Sequence, residues 1–203
     1  DITAHCLASH SVDELPEPAQ LLNHPLILQW DGEIAQLRSS KLEPIPPFFW
    51  DRSGRAAVHG SITSGLKFRG DDFLMSMISD PGFCSPLIDW LTDVNRVLVE
   101  HFAAVGRQEV TSIHVGECAA CMLDLANFRR YVVPSASKLG EHFGAVRFHS
   151  CGCSDHLLEA CGEITGLAEL DVGGETSVGK IRSHFGGEFP VGIAPLVEDM
   201  RAA

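Results

Sequence analysis

Phe148-His149-Ser150-Cys151-Gly152-Cys153 is the segment best equipped for chemistry. A His and a Cys two residues apart, where a strand runs out, can turn an imidazole and a thiolate into one pocket. Zinc takes both donors, in tetrahedral geometry. A catalytic zinc needs three protein donors and one open position, and a substrate thiol in that position would lose its proton more easily. Gly152 allows close backbone approach. Without a metal, the same residues read as two small buried hydrophobes and a hydrogen-bonded core histidine. On residue types and placement, His149 and Cys151 are the candidate metal ligands.

A second segment, Gly116-Glu117-Cys118-Ala119-Ala120-Cys121-Met122, also closes a strand. Glu117 there is a candidate ligand, base or substrate contact. Cys118 and Cys121 have the spacing of a redox or zinc pair. No second Cys-x-x-Cys exists, so a four-cysteine structural site has no support, and packing is the expected role of the pair. Asp171, before Gly173-Gly174, is a candidate pocket carboxylate, with Glu175 further out. Glu117 and Asp171 are therefore the candidate catalytic residues. His59 faces either a pocket or the core. His114 lies inside a strand and, by alternation, points differently from Glu117. Cys161 sits beside Leu157 and Leu158 and reads as core. Asp71-Asp72 suits a helix start, where carboxylates favour the macrodipole.

These residues need strands to present them. Short apolar runs at 56–62, 110–115, 145–149, 167–172 and 190–194 read as strands. Helical patterns fill residues 25–37, 71–104 with a break near Asp80-Pro81-Gly82, 125–143 with Pro134 as a kink, 155–164 with Ser154 as N-cap, and 177–185. A further helix starts at Val197. Strand and helix thus alternate about five times, which means a parallel α/β sheet with crossover helices. A doubly wound sheet and a (β/α)8 TIM barrel compete. No Gly-x-Gly-x-x-Gly follows a strand, whereas reactive residues gather at strand ends, where barrel enzymes place their sites. The expected fold is therefore a TIM barrel. A full barrel takes about 250 residues, so this one is incomplete, with about five of eight units in a single domain over 1–203, truncated at both ends. The Asp at position 1 and the helix-like last residues also read as a processed or internal segment.

Composition excludes several classes. The chain has 203 residues, 15 Lys plus Arg against 27 Asp plus Glu, a net charge of −12 and 45% hydrophobic residues. Mean hydropathy is +0.09. This is a globular composition rather than a disordered one. An acidic chain lacks the cationic surface that nucleic-acid binding needs. No apolar run is long enough to span a membrane, and no signal peptide is visible. Seven Cys, an odd number, five of them between 118 and 161, fit thiol or metal chemistry in a reducing cytoplasm better than a disulfide framework.

The order of motifs resembles the uroporphyrinogen decarboxylase superfamily along nearly the whole chain. The resemblance runs through Gly65-Leu66-Lys67-Phe68-Arg69-Gly70-Asp71-Asp72-Phe73-Leu74 with Ser79-Asp80-Pro81, then Phe128-Arg129-Arg130-Tyr131-Val132-Val133-Pro134. It is strongest at Phe148-His149-Ser150-Cys151-Gly152. It implies a (β/α)8 barrel of which these are roughly the third to seventh strands. It also implies one of two chemistries. Metal-free decarboxylases remove acetate carboxyls from a tetrapyrrole in porphyrin biosynthesis. Zinc-dependent methyltransferases move a methyl group from a corrinoid protein to a small thiol. His149 and Cys151 match the first two zinc ligands of that second branch, with the third expected beyond Ala203. The resemblance therefore implies a cytoplasmic zinc methyltransferase whose partners are a methyl-corrinoid protein and a thiol. The alternatives are the decarboxylase and a non-catalytic partial barrel.

Overall fold

The computed structural model describes residues 11–194. Short runs of apolar and β-branched residues form five parallel strands: β1 (Arg55–His59), β2 (Ser112–Gly116), β3 (Ala145–Ser150), β4 (Leu167–Gly173) and β5 (Val191–Ala194). They pair in the order β1-β2-β3-β4-β5. A doubly wound sheet reverses its strand order part-way, and this sheet does not. With right-handed crossovers, an unreversed order places every connecting helix on the same face.

Burial follows that rule. Ala56 and Val58, Ile113 and Val115, Val146 and Phe148, and Leu170 and Val172 join one core with helical Ile62, Phe73, Leu87, Leu139 and Ile181. The alternate positions make a polar opposite face. It carries His59, His114, Arg147, His149, Glu169 and Asp171, mostly half-buried.

The helices are α1 (Pro25–Ser39), α2 (Ser61–Arg69), α3 (Asp72–Ser79), α4 (Pro81–Gly106), α5 (Leu125–Asn127), α6 (Val133–Phe143), α7 (Leu158–Cys161) and α8 (Val178–Phe185). The stripe Ile27, Trp30, Ile34 seats α1 on Phe102 of α4, with the Trp30 and Phe102 rings 5.6 Å apart. The expected break at Asp80 is present. Its carboxylate accepts from the Phe83 N–H at 3.1 Å, with Pro81 in the first turn. Pro134 is absorbed by a π-helical turn over Phe128–Val132 that joins α5 to α6. Gly186 ends α8 at φ +92°.

Three readings need correction. The first strand stops at His59, and residues 61–69, read in part as its tail, form α2. The expected helix over 155–164 is a 3-10 turn, Asp155–Leu157, followed by the single turn α7. Ser154 does not cap it, because its hydroxyl donates to Ser150 Oγ at 2.8 Å. The helix expected from Val197 lies outside the described residues. Among the described residues, no helix is long and apolar enough to cross a membrane.

Candidate metal centre

Register builds the site. Gly116 of β2 is the pairing partner of His149 of β3, so both strands end at one level. The Glu117 N–H donates to the His149 carbonyl at 2.8 Å and carries the pairing one residue further. Cys118 is thereby delivered beside the turn that holds Cys151. The donor atoms of Cys118, His149 and Cys151 lie within 4.8 Å of one another. Sulfur ligands about 2.3 Å from a tetrahedral zinc sit about 3.8 Å apart. The three side chains therefore need to draw in by about 1 Å or less, within the reach of rotamer adjustment. Burial, and then the neighbouring Cys151 thiol, push the Cys118 thiol above its ordinary range. A divalent cation would reverse that preference.

The imidazole is backed by a carboxylate. Asp171 is the register partner of His149, and its Oδ2 lies 3.1 Å from His149 Nδ1. Nδ1 makes no hydrogen bond, to this carboxylate or to another group. A carboxylate beside Nδ1 leaves Nε2 to bind a metal, the usual arrangement behind a metal-bound histidine. Arg147 Nη2 is also 3.1 Å from Asp171 Oδ2, and Arg147 Nε is 3.1 Å from Glu169. Gly192 on β5 makes room for this group, since a Cβ there would fall 2.9 Å from Asp171 Oδ1.

The Cys118–Cys121 pair divides its labour. Cys118 joins the centre. The Cys121 thiol donates to the Cys118 carbonyl at 3.1 Å and packs over Gly152, where a Cβ would lie 2.6 Å from its sulfur. Gly173 matters most for position, because a Cβ there would sit 1.9 Å from the Cys151 carbonyl oxygen. Gly173→Ala is expected to displace Cys151 and weaken zinc binding by roughly 10–100-fold, as loss of a supporting contact does. Gly179→Ala, whose nearest contact would be an ordinary 3.7 Å, should leave affinity unchanged in the same chelator competition.

Glu117 is placed elsewhere. It is fully buried. Its carboxylate accepts from the Ile62 and Thr63 N–H groups and from the Thr63 hydroxyl, each at 2.9 Å. Burial pushes its pKa up to about 7 against the pull of these donors. Gly60 is needed here, since a Cβ would land 2.0 Å from the carboxyl carbon. The structure therefore brings Asp171, His149 and Cys151 together but commits the Glu117 carboxylate to the first turn of α2, apart from the thiols.

His114 lies on the polar face, on the other side from the Glu117 carboxylate. Its ring centroid is 5.1 Å from that of Trp50 and 5.6 Å from that of His149. Burial, chiefly, with Arg147 and His149 adding, pushes its pKa down to about 4. His59 Nε2 is 3.2 Å from Lys67 Nζ. Trp50, Ala57, His59 and His114 wall a hollow of about 290 Å³ that reaches Cys118 and His149. Glu175 is exposed, and Cys161 is buried in the core as expected.

The sequence offered Cys118 only as half of a redox or zinc pair with Cys121, with packing its expected role, and did not give His114 with Trp50 as a wall. One signal was available for Cys118 as a donor. Gly116-x-Cys118 and His149-x-Cys151 both end strands, and adjacent parallel strands bring such positions level. The chain matches no known family model and no curated protein.

Proposed function

We propose that Cys118, His149 and Cys151 hold one catalytic zinc ion, and that the protein transfers a methyl group from a corrinoid protein to a small thiol. The convergence of two thiols and a carboxylate-backed imidazole carries this reading. Such a soft donor set suits zinc. Three protein donors leave the fourth position for substrate, as in catalytic sites. Cys118 takes the role of the third ligand that the family resemblance puts beyond Ala203. The resemblance to the uroporphyrinogen decarboxylase superfamily supplies the reaction, and the unreversed sheet with its polar face supports the (β/α)8 barrel.

Cys118, His149 and Cys151 would hold the zinc, whose charge when bound would favour the thiolate form of an acceptor thiol. The chain's own residues do the positioning. Asp171 sets a carboxylate 3.1 Å from Nδ1 of the His149 ring. Trp50 and His114 give the acceptor a largely apolar wall beside Cys118. The methyl carbon forms a bond to the acceptor sulfur as the cobalt–carbon bond breaks, and cobalt keeps that electron pair. The thiol proton leaves to solvent.

The decarboxylase alternative needs unspent cations for several substrate carboxylates. On the polar face, Arg147 is already matched by Glu169 and Asp171. The deciding assay incubates the protein with a methylated corrinoid protein and a thiol. Loss of methyl–cobalt absorbance with thioether formation is expected from the zinc form and not after chelation. Turnover of uroporphyrinogen by metal-free protein would sink the proposal.

A further inference from the structure

At the other end of the sheet, the segments that precede β1 and β2 meet the ends of α1 and α4. They enclose a hollow of about 590 Å³ lined by Arg38, Lys41, Arg52 and Arg107, with Glu43 as its carboxylate. Four of the chain's 15 basic side chains thus share one cleft, in a chain of net charge −12. The five-residue strands β1 and β2 alone span about 13 Å, and the cleft precedes them while the metal donors lie at or beyond their far ends, so the two lie further apart than that along the sheet.

The four cations are not equally engaged. Arg38 is spent on structure, donating to the Val105 carbonyl at 2.6 Å and to the Gly106 carbonyl at the end of α4. Arg52 lies 3.1 Å from Glu43, but the two side chains are 43% and 78% exposed. So open a pair is weak and readily exchanged for a ligand. Lys41 and Arg107 have no ion pair among the described residues. An adjoining hollow shares Arg52 and Arg107 and adds Glu109.

Three non-glycine residues have positive φ among the described residues, Phe48 and the cations Lys41 and Arg107. Lys41 has φ +61° and Arg107 φ +47°. Both follow helices, at positions where glycine is the default because a Cβ is strained there. A cation at a helix C-terminus gains from the dipole. That gain does not explain why two of the three strained residues, with Arg52, line one hollow. Strain of this kind is kept where function needs the side chain.

We propose that this cleft binds a small phosphorylated molecule bearing at least two phosphate groups, through Lys41, Arg52 and Arg107. Arg forks and a Lys point charge match phosphate oxygens. The proposal does not depend on the zinc site.

Inorganic pyrophosphate is the probe, titrated into the protein by calorimetry at low and moderate salt. One equivalent is expected to bind. Lys41→Gly and Arg107→Gly should each weaken it by roughly 10–100-fold, the loss of one charge-assisted contact. Both variants relieve backbone strain, so their thermal midpoints without ligand should equal or exceed the parent's. Glu43→Gln should tighten binding. Zinc content should be the same in all. Failure to saturate at millimolar pyrophosphate, or equal affinity in the parent and the Lys41→Gly/Arg107→Gly double variant, would overturn the proposal.

Discussion

Replacing Cys151 with serine is expected to leave the protein folded and strip it of zinc. Cys151 is exposed, so the change opens no cavity in the core. A serine hydroxyl keeps its proton at neutral pH and makes a poor zinc ligand, which leaves Cys118 and His149 as a two-donor site. Removing an outer partner of a metal ligand costs roughly 10–100-fold in affinity, and removing a ligand itself costs more. Cys118→Ser is expected to match Cys151→Ser. Asp171→Asn should fall between them and the parent, at roughly 10–100-fold. Cys153→Ser, whose thiol is exposed and outside the converging set, should keep full zinc. Metal content after dialysis, chelator competition and sulfur-to-cobalt absorption in the cobalt-substituted protein give three readouts, with circular dichroism to confirm folding. Full zinc in Cys118→Ser alone would move the third ligand elsewhere. Full zinc in Cys151→Ser would end the metal reading.

Local pattern and tertiary pairing divide what the sequence made legible. The strands were readable because each is a short apolar run closed by polar residues or glycine, and their alternation with helices implied a parallel sheet. His149 and Cys151 were readable because their spacing lies within one strand end. Cys118 was not, because its place in the site comes from register. Gly116 pairs with His149, a relation between residues 33 positions apart that no local spacing encodes. Cys-x-x-Cys then suggested a pair acting together, whereas one thiol faces the centre and the other faces Gly152. The missed helix α2 has the same kind of cause. Ser61-Ile62-Thr63 is rich in β-branched residues and reads as strand. It is helical because a carboxylate 54 and 55 residues away satisfies its first N–H groups. Glu117 was read as a ligand, base or substrate contact, whereas its partners are two backbone N–H groups and the Thr63 hydroxyl.

Glu117→Ala should accordingly be the most damaging single substitution to stability. The change leaves the Ile62 N–H, the Thr63 N–H and the Thr63 hydroxyl without their acceptor in a fully buried place. Each buried donor left unmatched costs about 1–3 kcal/mol. A total of about 3 kcal/mol allows for partial relaxation, and in a chain of this size it lowers the thermal midpoint by roughly 6–12 °C. Thr63 spreads the damage, because its Oγ1 also accepts from the Ala119 N–H at 3.2 Å. Losing Glu117 therefore loosens α2 and the turn carrying Cys118 together. Glu117→Gln, which keeps one acceptor oxygen and adds an unwanted donor, should lose less. The two roles open to this carboxylate separate cleanly in that conservative variant. If Glu117 moved a proton in the reaction, Glu117→Gln would fold with an unchanged midpoint and lose turnover. If it is the buried tie between the end of β2 and the start of α2, the midpoint falls while the folded fraction still takes up zinc at Cys118, His149 and Cys151. Thermal denaturation and metal titration on the same sample distinguish the two outcomes.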